Sequence, residues 1–170
     1  ENIQQSCLQL GFYLASWGML RGSSFLLNKS ARFYERLLQT IVGLDTRLWV
    51  VDVDSYTDEN IGLLLDAAEA IRNALGKENR ASDTLVTKIM LGIYGNVPAF
   101  DTFFRNGLGV GALNGKNLKG VAEFYGYHKA VIDKYATEVH TLDFHTGEDT
   151  DRHYTKAKIV DMGAVMEGQR

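Results

Sequence analysis

The chain of 170 residues contains one cysteine and one proline. Cys7 alone cannot form an intramolecular disulfide or a multi-cysteine zinc site, so a reducing, cytoplasmic compartment is the expectation. A single proline is typical of a helical protein with few proline-marked turns. The longest apolar run, Leu10 to Leu20, is shorter than the ~20 residues that a membrane span needs. We therefore interpret this run as a core helix and expect no membrane partner.

Catalytic and cofactor-binding signatures are also missing. The sequence has no GxSxG, no GxxxxGK[ST], and no GxGxxG that follows a strand, so no cofactor is predicted. The net charge of -3 argues against a generally basic nucleic-acid-binding protein and leaves a local basic patch open. The chain begins at Glu1 rather than methionine, which leaves open a missing natural N-terminus and an unseen targeting peptide.

Apolar residues recur at helical spacing through most of the chain, which predicts one all-α domain, residues 1–170, with six to seven helices. Leu48–Asp54 is the one strand-like run, and an extended connector or a helical turn explains it equally well. The segment 137–152 is expected to be irregular. The predicted helices outside the central hairpin cover Ile3–Leu27, Ser30–Leu44, Thr57–Leu75, Asn117–Tyr135 and the residues from Thr155 onward.

The first predicted helix carries a row of small residues on one face: Gly11, Ala15, Gly18 and Gly22. Small side chains let a second helix approach closely. That helix belongs either to the same chain or to a second copy, so a structural or interaction module, including a homodimer, is one hypothesis for the function.

Residues 83–107 have the order of a helix–hairpin–helix: a helix, a glycine-centred break, the proline and a second short helix. Gly95 suits a helix C-cap, and Pro98 suits the first turn of the next helix. The backbone N–H groups of Gly95, Asn96 and Val97 are then predicted to face an anion. Val97 stands where a standard hairpin has a second glycine, and a simple interhelical turn is the alternative.

Basic side chains around this hairpin support a predicted anion-binding face. Its ligand is expected to be nucleic acid or another phosphate-bearing partner, because phosphate contacts supply most nonspecific affinity. A solvated helix surface is the alternative. The cations assigned to the face are Lys88, Arg105, Lys119 and Lys158.

A second hypothesis is an enzyme of the hydrolase or phosphoryl-transfer class. Arg21, Ser23 and Ser24 combine a guanidinium with two hydroxyl groups, which suits a polar substrate. Lys88 and Asp101 complete the candidate catalytic set, although no nucleophile–base pair follows from the sequence. The same groups near Arg21 also suit the capping of a helix end.

Histidines near the C-terminus are candidate metal ligands. His140, His145 and His153 lie among carboxylates, yet they match none of the usual metal-binding spacings. An acidic, glycine-containing stretch is equally typical of a solvated connection. We therefore predict no metal site and keep these histidines only as weak candidates.

Three segments, FYLASWGMLRGSS, TLVTKIMLGIYGNVPAFDTFF and YTKAKIVDM, are similar to blocks of a family of bacterial helical proteins with no established activity. The family blocks read ASWGM-RGSS, TKxLxGxxGxxPAxD and KxxDM, in the same order. The resemblance spans most of the chain but has no counterpart in residues 44–80. It implies that the following residues lie in family-defining blocks: Arg21, Ser23, Ser24, Lys88, Pro98, Asp101, Lys158 and Asp161.

Overall fold

Helices dominate the computed structural model, which describes residues 2–168. Within that range seven α-helices make a single, mainly α-helical domain, as the sequence predicts. None of the described helices is long and apolar enough to cross a membrane. The helices are α1 (Ile3–Ser16), α2 (Glu35–Val42), α3 (Asp58–Ala74), α4 (Asp83–Ile93), α5 (Thr102–Leu108), α6 (Gly115–Glu138) and α7 (Lys156–Gly168).

The first helix is shorter than predicted. It ends at Ser16, because Gly18 and Gly22 adopt left-handed backbone conformations with φ of +69° and +56°. Only Gly11 and Ala15 of the small-residue row therefore lie on α1. The sequence pattern missed this break because glycines at helical spacing look the same whether they continue a helix or end it.

The stretch between α1 and α3 contains α2 and four short 3-10 turns. The predicted helix Ser30–Leu44 begins as a 3-10 turn and becomes α2 only at Glu35. The strand-like run Leu48–Asp54 overlaps two further 3-10 turns, Thr46–Trp49 and Val53–Ser55, and forms no strand. The last of these turns begins after Asp52.

The carboxylate of Asp52 connects this stretch to α7. Its two oxygens accept the N–H groups of Lys156 and Ala157, each at 2.8 Å. These N–H groups belong to the first turn of α7 and have no partner within the helix. Asp52 therefore caps a helix that lies far away in the sequence.

A β-hairpin replaces the irregular segment expected at 137–152. Strands β1 (His140–Leu142) and β2 (Asp149–His153) pair antiparallel. The side chain of Asp143 stabilises the turn by accepting the N–H groups of His145 and Thr146, and these bonds lower the pKa of its carboxyl. Most hairpin residues are exposed, so no apolar alternation marked the strands in the sequence.

The core lies where α4 and α7 meet the other helices. α5 packs against α7, and α6 contacts both α3 and α7. Cys7 is buried on α1. The largest fully buried side chains include Phe100, Phe104, Leu64, Ile71 and Met90.

The helix–hairpin–helix-like element is present, but its connection is not a tight turn. Ser82 caps α4 through the N–H of Leu85, and Gly95, as predicted, ends it with φ of +68°. Pro98 was expected in the first turn of α5, yet α5 begins only at Thr102. The residues between the two helices are largely buried, which makes this connection part of the core.

Gly95 provides a test of this packing, with Gly62 as its control. A Cβ at Gly95 would lie 2.7 Å from Cγ2 of Thr155 at positive φ, whereas one at Gly62, inside α3, would meet no neighbour. We expect Gly95→Ala to lower the free energy of unfolding by about 1–3 kcal/mol, and Gly62→Ala to raise it by about 0.5–1 kcal/mol. Urea denaturation measures both, and equal effects would contradict the packing described.

Candidate functional site

Two lysines and two aspartates from the family-like segments meet around Trp17. The Nζ atom of Lys88 lies 3.6 Å from Oδ2 of Asp101 and donates to the Trp17 carbonyl at 3.4 Å. The Nζ atom of Lys158 lies 3.1 Å from Oδ2 of Asp161. Both ammonium groups also approach the indole, at 5.0 Å for Lys88 and 4.5 Å for Lys158. We call these five residues the Trp17 cluster.

The carboxylates of the Trp17 cluster hold the backbone of the α4–α5 connection. Asp161 accepts the N–H of Ala99 at 2.9 Å, and Asp101 caps α5 by accepting the N–H of Phe104 at 3.0 Å. Burial raises the pKa of the Asp161 carboxyl, and the Lys158 ammonium opposes that rise. The cluster therefore uses its charges internally to join α1, α4, α5 and α7.

Tyr13 completes this arrangement, and the sequence alone did not single it out. Its hydroxyl donates to the carbonyl of Lys88 at 3.0 Å. A Cβ at Gly92 would collide with the Tyr13 ring, so the glycine lets α1 and α4 approach closely. Burial, together with the negative charge of Asp161, raises the pKa of Tyr13 to about 12.

The predicted anion-binding face does not form, because its cations have partners within the protein. Lys88 and Lys158 belong to the Trp17 cluster, and Lys119 pairs with Asp58 at 2.5 Å. Arg105 donates from Nε to the carbonyl of Asp101 at 3.3 Å. Three of the four cations therefore have carboxylate partners, and Arg105 donates to a backbone carbonyl.

The Gly95–Val97 turn also differs from the prediction that its N–H groups face outward. The Gly95 N–H donates to carbonyls at the end of α4, at 3.1 and 3.2 Å. Asn96 and Val97 are fully buried. The Asn96 side-chain amide donates to the Leu48 carbonyl at 2.9 Å, and the Asn96 backbone carbonyl accepts the Tyr56 hydroxyl at 2.6 Å. The turn is thus a core element without access for a nucleic-acid backbone.

The histidines do not form a metal site among residues 2–168, where no group of three or more His, Cys, Asp or Glu side chains is placed to hold an ion. His140 and His153 face each other across the hairpin, with ring centroids 4.2 Å apart. His145 lies instead at the turn, against Phe144. Two facing imidazoles alone are too few ligands for a typical metal site.

Arg21, Ser23 and Ser24 line a polar cleft of about 380 Å³, away from Lys88 and Asp101. The candidate catalytic set is therefore divided between this cleft and the Trp17 cluster. The cleft lies between the segment that follows α1 and the connection from α3 to α4. We call it the arginine cleft; its polar residues are Arg21, Arg80, Ser23, Ser24, Ser82 and Asn79.

The arginine cleft has two cationic groups and no carboxylate in its lining. Neither Arg21 nor Arg80 forms an ion pair with any residue that the structure describes. Asp83, next to the cleft in sequence, is bound by Arg72 at 2.7 Å and by the N–H of Leu113 at 2.9 Å. The lining itself therefore favours an anion, while the Glu78 carboxylate lies just outside it and accepts from the Asn79 side chain at 3.2 Å.

The serine hydroxyls of the cleft retain protons that can be donated. Ser24 Oγ accepts the N–H of Leu26 at 3.3 Å, and Ser82 Oγ accepts the N–H of Leu85 at 3.2 Å. A hydroxyl that accepts a bond still has its own O–H to donate. Both groups can therefore bind an oxyanion without losing their capping role.

Two residues with left-handed backbone conformations, Gly18 and Arg80, line the cleft. Gly18 lies beneath the Arg21 guanidinium, so that an added Cβ would come within 3.3 Å of its Cζ atom. Arg80 has φ of +47°, which in residues 2–168 is the only positive φ outside glycine. Such a conformation carries strain and is often found at functional sites. Nothing in the sequence marked Arg80, because only the tertiary structure brings it near Arg21.

No family model, curated protein or solved structure matches this chain. The resemblance to the family of bacterial helical proteins therefore stays a prediction.

Removing the buried cation of the Trp17 cluster tests its structural role. Lys88→Met leaves the Trp17 carbonyl without its donor and Asp101 without its ion pair. We expect the free energy of unfolding to fall by about 1–3 kcal/mol. The matched control, Lys77→Met at an exposed lysine, should change it by less than about 0.5 kcal/mol. Similar losses for both variants in urea denaturation would show that the cluster contributes little.

Tyr13 makes the stability depend on pH in the alkaline range. Its proton leaves the unfolded chain near pH 10 but the folded protein only near pH 12, so the folded state binds more protons between these values. The free energy of unfolding should therefore fall as the pH rises from 10 to about 12. Tyr13→Phe removes this titration and should make the fall with pH shallower. Some fall should remain, because burial also raises the pKa of other tyrosines. An unchanged slope would contradict the effect.

Proposed function

We propose that the protein binds a small phosphate-bearing ligand in the arginine cleft. The observation that carries the proposal is the pair of arginines, Arg21 and Arg80, that face one cleft without a carboxylate partner in its lining. Guanidinium groups match phosphate oxygens in a bidentate geometry, and such charge-assisted bonds are stronger than neutral ones. The serine hydroxyls add neutral donors.

The size and lining of the cleft support a small organic ligand rather than a polymer. Its volume of about 380 Å³ falls within the range of small-molecule sites. Met19, Phe25 and Leu85 provide apolar surface beside the arginines. A phosphate monoester with a compact organic part fits this lining. Its phosphate would bind the arginines, and its organic part would contact the apolar side chains.

Nucleic acid is the less favoured phosphate-bearing ligand. The net charge is -3, and the further cations once assigned to a binding face are paired internally. Two arginines neutralise too few phosphates for strong nonspecific binding. A catalytic role is not proposed either, because Lys88 and Asp101 do not line the cleft.

Calorimetric titration of the full chain with inorganic phosphate and with a phosphate monoester tests the proposal. We expect both to bind, with affinity reduced about tenfold or more in Arg21→Gln and Arg80→Gln, because each change removes a charge-assisted hydrogen bond. Arg36→Gln is the matched control, since Arg36 is an exposed arginine outside the cleft. Its affinity should equal that of the natural sequence.

Three results would contradict this function. The first is that neither phosphate compound binds. The second is that all three arginine variants weaken binding equally, which would indicate a general charge effect. The third is that an oligonucleotide binds with a steep salt dependence while the phosphate monoester does not, which would return the assignment to nucleic acid.

A further inference from the structure

The amide side chain of Asn79 lines the arginine cleft in a fixed orientation. Asn79 is half-buried on the connection from α3 to α4. Its Nδ2 atom donates to the Leu75 carbonyl at 2.7 Å and to Oε1 of Glu78 at 3.2 Å. These bonds use both hydrogens of the amide. Because only the nitrogen can donate to a carbonyl, they also decide which end of the amide is the oxygen.

The oxygen of this amide is an acceptor without a donor. Asn79 Oδ1 accepts no hydrogen bond from any residue between 2 and 168. The guanidinium groups of Arg21 and Arg80 carry only donors, yet neither of them binds it. Since Nδ2 is turned to the end of α3 and to Glu78, Oδ1 is the atom of this side chain that is left for a ligand.

A phosphate group by itself cannot satisfy this oxygen, because ionised phosphate oxygens accept hydrogen bonds and do not donate them. The ligand therefore needs a donor elsewhere in its structure. An ammonium group would supply one, but it would lie in the same cleft as two guanidinium groups of like charge. A hydroxyl group donates without a charge. The lining of the cleft thus favours a hydroxyl over an amine.

The apolar part of the cleft suits a hydroxylated carbon skeleton. The Phe25 ring is held by an edge-on contact with Phe33, at 6.0 Å between centroids and 71° between planes. Met19 and Leu85 extend this apolar surface. Polyols and sugars carry C–H groups that can pack on such a surface, together with hydroxyl groups that a few placed polar atoms can orient.

We propose that the phosphate-bearing ligand of the arginine cleft is a phosphorylated polyol or sugar. Its phosphate binds Arg21 and Arg80, one of its hydroxyl groups donates to Oδ1 of Asn79, and its carbon skeleton contacts Phe25. This substrate class rests on the function proposed above for the same cleft.

Calorimetric titration of the full chain with two three-carbon phosphate monoesters separates the hydroxyl from the phosphate. Glycerol 3-phosphate carries hydroxyl groups, and propyl phosphate carries none. We expect glycerol 3-phosphate to bind about five- to tenfold more tightly, which is the effect of one additional hydrogen bond. Phosphoethanolamine, whose donor is an ammonium group, should bind more weakly than glycerol 3-phosphate.

Two variants of Asn79 assign this preference to its oxygen. Asn79→Leu and Asn79→Asp both lose the amide that donates to the Leu75 carbonyl, but only Asn79→Asp keeps an acceptor. Asn79→Leu should bind the two three-carbon monoesters equally. Asn79→Asp should keep the preference and bind both more weakly, because its charge opposes the phosphate. Asn106→Leu is the matched control, since Asn106 is exposed on α5 outside the cleft, and it should behave like the natural sequence.

Several outcomes would overturn the substrate class while leaving phosphate binding by the cleft intact. One is equal binding of the two three-carbon monoesters by the natural sequence, with inorganic phosphate still bound. Another is a preference that survives in Asn79→Leu or disappears in Asn79→Asp. If Asn79→Leu binds too weakly to titrate, the result for Asn79→Asp decides. A third is binding of phosphoethanolamine as tight as that of glycerol 3-phosphate.

The failure of the proposed function itself has a different signature. In that case none of the compounds binds to the natural sequence, inorganic phosphate included. Circular dichroism of each variant checks that the helical content is retained.

Discussion

The pairing of buried charge around Trp17 is the constraint on which the arrangement of the helices depends. Lys88 is buried in α4, and a buried ammonium without a partner would cost several kcal/mol. Asp101 and the Trp17 carbonyl supply partners from two other parts of the chain. Asp161 connects α7 to the chain before α5 by accepting the N–H of Ala99, and Lys158 on the same helix lies over the Trp17 indole. The four charged groups and the Trp17 carbonyl can be satisfied together only when α1, α4, α5 and α7 are in place.

This constraint also separates residues that serve the fold from those available to a ligand. The cations of the Trp17 cluster have carboxylate partners, and Tyr13 and Gly92 bring the helices close enough for that pairing. Arg21 and Arg80 instead face an open cleft, with no acid in its lining. The family-like segments therefore combine two roles, since Arg21 lies in the same segment as Trp17.

The accuracy of the sequence predictions follows from how local each signal is. α3 was predicted almost to the residue, because Thr57 caps it and Gly76 ends it at φ of +91°. The prediction for α1 was too long, since Gly18 continues the small-residue pattern while its backbone breaks the helix. The β-hairpin was missed because its strands are short and exposed. In each case the outcome reflects whether neighbouring residues alone decide the conformation.

For the candidate site, the sequence by itself determined the helical class, the ends of α3 and α4 and the chemical character of Arg21, Ser23 and Ser24. These properties depend on residues a few positions apart, where side-chain type limits the available conformations. Only the tertiary structure decided that Lys88 is a buried structural cation and that Arg80 joins Arg21 at one cleft. The physical reason is that ion pairing and burial depend on which distant segments pack together, and no local pattern specifies that.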